Sequence, residues 1–162
     1  MSTTRPHVGV LALQGDVREH VAVLRGLDVE VSVVRRPEEL AAVDGLVLPG
    51  GESSVIDKLS RAFGMREPII AAREAGMPMY GTCAGLILLA DDIIDGIDGQ
   101  QTFGGLDVIV RRNAFGSQVD SFETDIDVPV FGEPAVHAVF IRAPLVEQVG
   151  ERAEVVASLD DD

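Results

Sequence analysis

The chain has one cysteine, Cys83, one tyrosine and no tryptophan. A lone cysteine excludes an internal disulfide and any thiolate-rich zinc or iron-sulfur site. Histidine is scarce as well: His7, His20 and His137 stand far apart, their spacing matches no metal motif, and no metal is expected. Basic residues are outnumbered, 13 Lys and Arg against 27 Asp and Glu, for a formal charge of −14. A surface of that sign repels phosphate backbones, which excludes nucleic acid as a partner. No apolar run approaches the ~18 residues of a membrane helix. Met1 to Pro6 lacks the basic segment, apolar stretch and small-residue cleavage site of a signal peptide, so a cytoplasmic location is expected. What remains is an ordinary globular composition, 46% hydrophobic and 25% charged over 162 residues. That is enough to bury a core without disulfides, and residues 1–162 are read as a single domain.

Hydrophobic periodicity gives the fold class. Val8 to Leu13 is a nearly continuous apolar run, the mark of a strand covered on both faces, and Gln14-Gly15 breaks it. Val17, Val21 and Leu24 then follow a helical period, with Asp16 placed to cap. Val29 to Val34 and Gly45 to Leu48 read as strands, Ser53 to Phe63 and Pro68 to Ala75 as helices, Pro78 to Thr82 as a fourth strand and Leu86 to Ala90 as a buried helix. Such alternation predicts an α/β fold with a mostly parallel sheet. Beyond residue 90 helical signals thin out. Leu106 to Val110, Ala135 to Ile141 and Ala153 to Leu159 look like strands of an antiparallel extension, and Gly96 to Gly105 is a Gly-, Asp- and Gln-rich loop.

Two strand ends carry chemistry. Gly81-Thr82-Cys83-Ala84-Gly85 sits between a strand and an apolar helix, an arrangement that puts a nucleophile on a tight turn at the carboxyl end of a central parallel strand. Backbone N–H groups at a helix N-terminus favour a thiolate. The competing assignment is a small buried residue between close-packing glycines. Leu48-Pro49-Gly50-Gly51-Glu52-Ser53-Ser54 is the second strand end, where a backbone N–H beside that of Ala84 would form an oxyanion hole. It lacks the Gly-Lys-Ser/Thr ending of a phosphate loop, and an ordinary turn with Glu52 or Ser53 near a helix cap is its competitor. Each histidine reads as structural or surface, because nothing nearby marks a nucleophile, base and orienter set. Asp91 to Gly96 fails as a calcium loop, since Ile93 and Thr102 fill positions that need oxygen ligands.

Six blocks in order carry a resemblance: Leu13 to His20, Leu48 to Ser53, Gly81 to Leu86, Arg112 to Gly116, Gln118 to Glu123 and Phe140 to Pro144. Together they closely resemble the glutaminase subunit of pyridoxal 5'-phosphate synthase, the PdxT family of class I glutamine amidotransferases. The resemblance implies a three-layer domain that hydrolyses L-glutamine to glutamate and ammonia. The ammonia would pass to a separate synthase subunit of a hetro-oligomeric complex for vitamin B6 synthesis, with no cofactor in the glutaminase step. It implies Cys83 as nucleophile, Gly51 and Ala84 as oxyanion donors, and Gly51, Glu52, Ser53, Arg112, Ile141 and Arg142 as substrate-binding residues. Gln14 would support the oxyanion loop near the partner interface.

One departure bears on activity. The family completes a Cys-His-Glu triad with a His-Pro-Glu segment near its C-terminus, followed by a helix, and residues 1–162 contain neither. The triad His and Glu are thus expected to be absent, the domain C-terminally incomplete, and the 162-residue chain inactive by itself. The alternative is a truncated, non-catalytic module that binds the synthase subunit or glutamine.

Overall fold

The apolar runs form a parallel sheet. The computed structural model describes residues 5–112, 121–140 and 144–159. Four strands, β1 (His7–Leu11), β2 (Glu30–Val34), β3 (Gly45–Leu48) and β4 (Met79–Gly81), pair in the order β2-β1-β3-β4, every pair parallel. Leu46, Val47 and Leu48 are buried in succession, as are Val10 and Leu11, so alternate side chains find cover on both faces. Helices α1 (Val17–Arg25), α2 (Pro37–Leu40), α3 (Ser53–Ala62) and α4 (Arg66–Glu74) fill the connections. The core joins Leu11, Val34, Leu46 and Leu48 of the sheet to Ile56 of α3 and Ile69 of α4. Each such aliphatic side chain contributes roughly 1.5–3 kcal/mol when fully buried.

Helix α5 (Ala84–Leu89) is apolar throughout and sits between two cores. Ala84, Leu88 and Leu89 belong to the first. Ile87 belongs to a second with Ala90, Val108 and Val110, against which Leu86 also packs. That second core underlies a sheet of order β5-β6-β9, built from β5 (Ala90–Ile94), β6 (Leu106–Arg111) and β9 (Leu145–Val149). β5 and β6 are parallel, β6 and β9 antiparallel. A separate antiparallel pair joins β7 (Phe122–Ile126) to β8 (Val136–Phe140), with Phe122 and Phe140 stacked at a centroid distance of 4.8 Å.

Several sequence expectations are corrected. Residues 153–159 form no strand. Both edges of β6 are already taken, by β5 and β9, and the chain turns at Gly150, whose N–H donates to the Asp107 carbonyl at 2.7 Å. The predicted antiparallel extension is instead two further sheets, and β5, β7 and β9 were not foreseen. Helix α4 begins at Arg66, before the predicted Pro68, because proline in a first helical turn forfeits no hydrogen bond. Asp16 precedes α1 without capping it through its side chain. Its backbone N–H reaches the Gly50 carbonyl at 2.9 Å instead. β4, expected to be central, is the outermost strand of its sheet among the described residues.

Candidate active site

Three strand ends meet because of the sheet order. Register sets Val10 opposite Val47 and Leu48 opposite Gly81, so the loops after β1, β3 and β4 leave the carboxyl edge side by side. The chain order reverses between β1 and β3, and such a switch point opens a crevice in parallel sheets. Gln14 and Gly15 lie on one side of it, Gly50 and Gly51 on the other.

Contact between these loops is backbone to backbone. A methyl group on Gly15, which has φ +109°, would lie 1.9 Å from the Gly50 carbonyl oxygen. Only glycine permits that approach. Gln14 then reaches across, its Oε1 accepting the Glu52 N–H at 2.8 Å. Gln14 is thus hydrogen-bonded to the residue that follows Gly51.

Cys83 sits on the sharp turn between β4 and α5, with φ +49° and ψ −106°. A non-glycine residue in that region is strained and held there by its surroundings. The close packing behind it is visible at Gly85, where a methyl would meet the Leu48 carbonyl oxygen at 2.1 Å. The cysteine itself is exposed, not sealed between the glycines. A Cβ added to Gly50 would stand 3.5 Å from Cys83 Cβ, which measures how near the two loops are. Ala84, next in the chain, is 1% exposed.

Polar side chains gather beside the Gly-rich loop. Glu52 is the N-cap of α3, accepting the Ser54 N–H at 3.4 Å and the Ser54 hydroxyl at 3.0 Å. Arg112, just past β6, donates from Nη2 to the same Glu52 oxygen in a short ion pair. Ser53 is 2% exposed and accepts from Gln100 Nε2 at 2.8 Å. The structure therefore brings together Gln14, Gly51, Glu52, Ser53, Cys83, Ala84 and Arg112. Ile141 and Arg142, with Asn113 to Gly116, lie outside the described residues.

The histidines are accounted for elsewhere. His20 Nε2 lies 2.9 Å from the Thr82 hydroxyl and so braces the residue before Cys83. His7 Nε2 lies 2.9 Å from Ser32 Oγ, tying β1 to β2. His137 is exposed between Asp125 at 2.9 Å and Glu123 at 3.2 Å. Asp125 first, then Glu123, raises its pKa above the usual imidazole value. Among the described residues no histidine hydrogen-bonds Cys83, and no group of three His, Cys, Asp or Glu side chains is placed to hold a metal ion. Sequence reasoning missed Gln100 and the His20–Thr82 contact. Both join residues distant in the chain, and no local pattern marks them.

Residues 10–162 match the model of the SNO glutamine amidotransferase family. The chain belongs to that family. By membership it is a glutamine amidotransferase, and hence a glutaminase. It is 62% identical over 165 residues to "Pyridoxal 5'-phosphate synthase subunit PdxT" of Clavibacter sepedonicus, covering 99% of this chain and 79% of that one. The subunit of the same name from Leifsonia xyli subsp. xyli is 63% identical over 156 residues, covering 96% and 79%. A solved structure described as a glutamine amidotransferase superposes with a TM-score of 0.85 at 47% identity, covering 94% of this chain and 79% of that one. The α/β fold with its mostly parallel sheet is therefore the fold of a glutamine amidotransferase. No helix among the described residues is long and apolar enough to cross a membrane.

Proposed function

We propose that the chain is the glutaminase subunit of pyridoxal 5'-phosphate synthase, with Cys83 as the nucleophile that opens glutamine. The observation that carries this is the strained, exposed Cys83 turn set against Gly50 and Gly51. Sulfur attacks the side-chain amide carbon, forming a C–S bond. The C–N bond breaks as the nitrogen takes a proton and leaves as ammonia. Water then cleaves the thioester to glutamate and restores the thiol. The N–H groups of Gly51 and Ala84 receive the oxyanion. Arg112, whose guanidinium complements a carboxylate, and Gly51, Glu52, Ser53, Ile141 and Arg142 hold the substrate. Gln14 fixes the loop that bears Gly51. Ammonia goes to the synthase subunit. Residues 1–162 act as one domain, a reading supported by the packing of α5 into both cores. The setting is cytoplasmic, where an unpaired thiol stays reduced.

Proton transfers need a base, and no histidine contacts Cys83 among the described residues. Residues 1–162 thus supply the nucleophile and binding part of the site. A chain carrying a His-Pro-Glu segment should release glutamate faster by several orders of magnitude in the presence of the synthase subunit. Covalent trapping tests the nucleophile without turnover. A glutamine-like diazo-ketone should label Cys83, glutamine should compete, and Cys83→Ala should take up no label. Absence of labelling in a chain that still binds the synthase subunit would favour the alternative, a non-catalytic module.

A further inference from the structure

Ser53 and Arg112 belong to different elements, one at the start of α3 and the other beyond β6. Two side chains that grip one small substrate must keep their spacing to a fraction of an ångström. The residue joining them is Gln100, in the loop between β5 and β6. We propose that Gln100 is a positioning residue of the glutamine site, setting the Ser53 hydroxyl and the Arg112 guanidinium relative to each other. This rests on the glutamine-site reading above.

Its two amide ends each meet a complementary group. Nε2 donates to Ser53 Oγ at 2.8 Å. Oε1 accepts from Arg112 Nη1 at 3.4 Å and from the Ile97 N–H at 3.3 Å. Ser53, accepting from Gln100, keeps its own proton for another acceptor. Arg112 donates one η nitrogen to Glu52 and the other to Gln100, and the remaining N–H donors of the guanidinium stay available for a carboxylate. The loop is not free to drift. The Gln101 N–H donates to Asp57 Oδ2 at 3.0 Å, and Asp57 is wholly buried in α3 one turn beyond Ser53. Arg61 Nη2 holds that same carboxylate oxygen at 2.8 Å. The backbone beside Gln100 is thus pinned to the helix whose first residue its side chain orients.

Alkylation of Cys83 tests this on the 162-residue chain. Iodoacetamide reads the thiol alone, and protection by glutamine reads the substrate site. Gln100→Leu should raise the half-protecting glutamine concentration about tenfold. Its alkylation rate without glutamine should stay within about twofold of the unsubstituted chain, because Gln100 does not touch Cys83. Gln100→Glu keeps the acceptor for Arg112 but takes up the Ser53 proton, so it should recover protection only in part, to within about threefold to fivefold of the unsubstituted chain. If Gln100→Leu does not fold, Gln100→Asn, one methylene too short to reach both partners, reads the same concentration. Equal protection of the unsubstituted and Gln100→Leu chains overturns the assignment of Gln100 alone, as does equal loss in the Leu and Glu variants. Failure of glutamine to protect even the unsubstituted chain overturns the glutamine-site reading with it.

Discussion

The parallel β2-β1-β3-β4 sheet and the part of the chain beyond Ala90 are held by different forces. In the first, backbones approach until no side chain fits between them, as at Gly15 against Gly50 and Gly85 against Leu48. In the second, charged side chains do much of the joining. Arg111 bridges Asp95 and Glu147, Arg152 bridges Asp91 and Asp107, and His137 lies between Asp125 and Glu123. Every residue of β9 is exposed, whereas β3 is buried from Leu46 to Leu48. Steric contact between backbones sets geometry sharply. Exposed ion pairs set it loosely, since solvent and salt compete for each charge. Cys83 and the Gly-rich loop come from the sharply set part.

Gly85→Ala attacks that contrast most directly. Its new methyl would press on a main-chain oxygen that cannot swing away, and stability should fall by about 3 kcal/mol or more. Thermal or urea unfolding checks it. A loss below about 1 kcal/mol would show that the backbone around Cys83 yields more readily than the close contact implies. Arg152→Ala in the second region removes two ion pairs from a side chain 74% exposed. The expected cost is about 1 kcal/mol or less, shrinking further in high salt. A larger loss in the same unfolding assay would erase the distinction between the regions.

The smallest effect concerns pH. Asp125 and Glu123 raise the folded-state pKa of His137, so its imidazolium stabilises the β7–β8 pair fully below the unfolded histidine value. The contribution is lost as pH climbs through the raised folded value. The melting-temperature gap between the unsubstituted chain and His137→Gln should be small at about pH 5.5 and shrink toward zero as pH climbs past the raised folded value. A gap that widens with pH would mean that the neutral ring, not the ion pair, supports the hairpin.

Legibility in the sequence follows the same division. β1, β3, β4 and helices α1, α3 and α4 were readable, unlike the short α2, because strands covered on both faces become continuous apolar runs, and close approaches demand glycine at fixed places. The Cys83 turn and the Gly50-Gly51 loop carried their geometry in five or seven adjacent residues. β7 and β9 were unreadable for the opposite reason. Phe122-Glu123-Thr124-Asp125-Ile126 and Leu145-Val146-Glu147-Gln148-Val149 mix charge and apolar residues without a buried face to enforce alternation. Val155, Val156 and Leu159 gave a false strand, since hydrophobicity alone cannot create a free edge to pair with. Arg112 came from the resemblance. Gln100 lay in a segment whose composition said only loop, and its partners emerge only when that loop and Arg112 come against the start of α3.

Helix α5 also bears on how this chain can change over generations. Ala84 and Leu88 answer to one core, Ile87 and Leu86 to the other, and Gly85 to the Leu48 backbone. None of these five positions can drift without an opposing surface changing in step. Variation in lineages sharing this architecture therefore has little room immediately after Cys83. It has more room on the exposed strand β9, where a substitution disturbs only its own contacts.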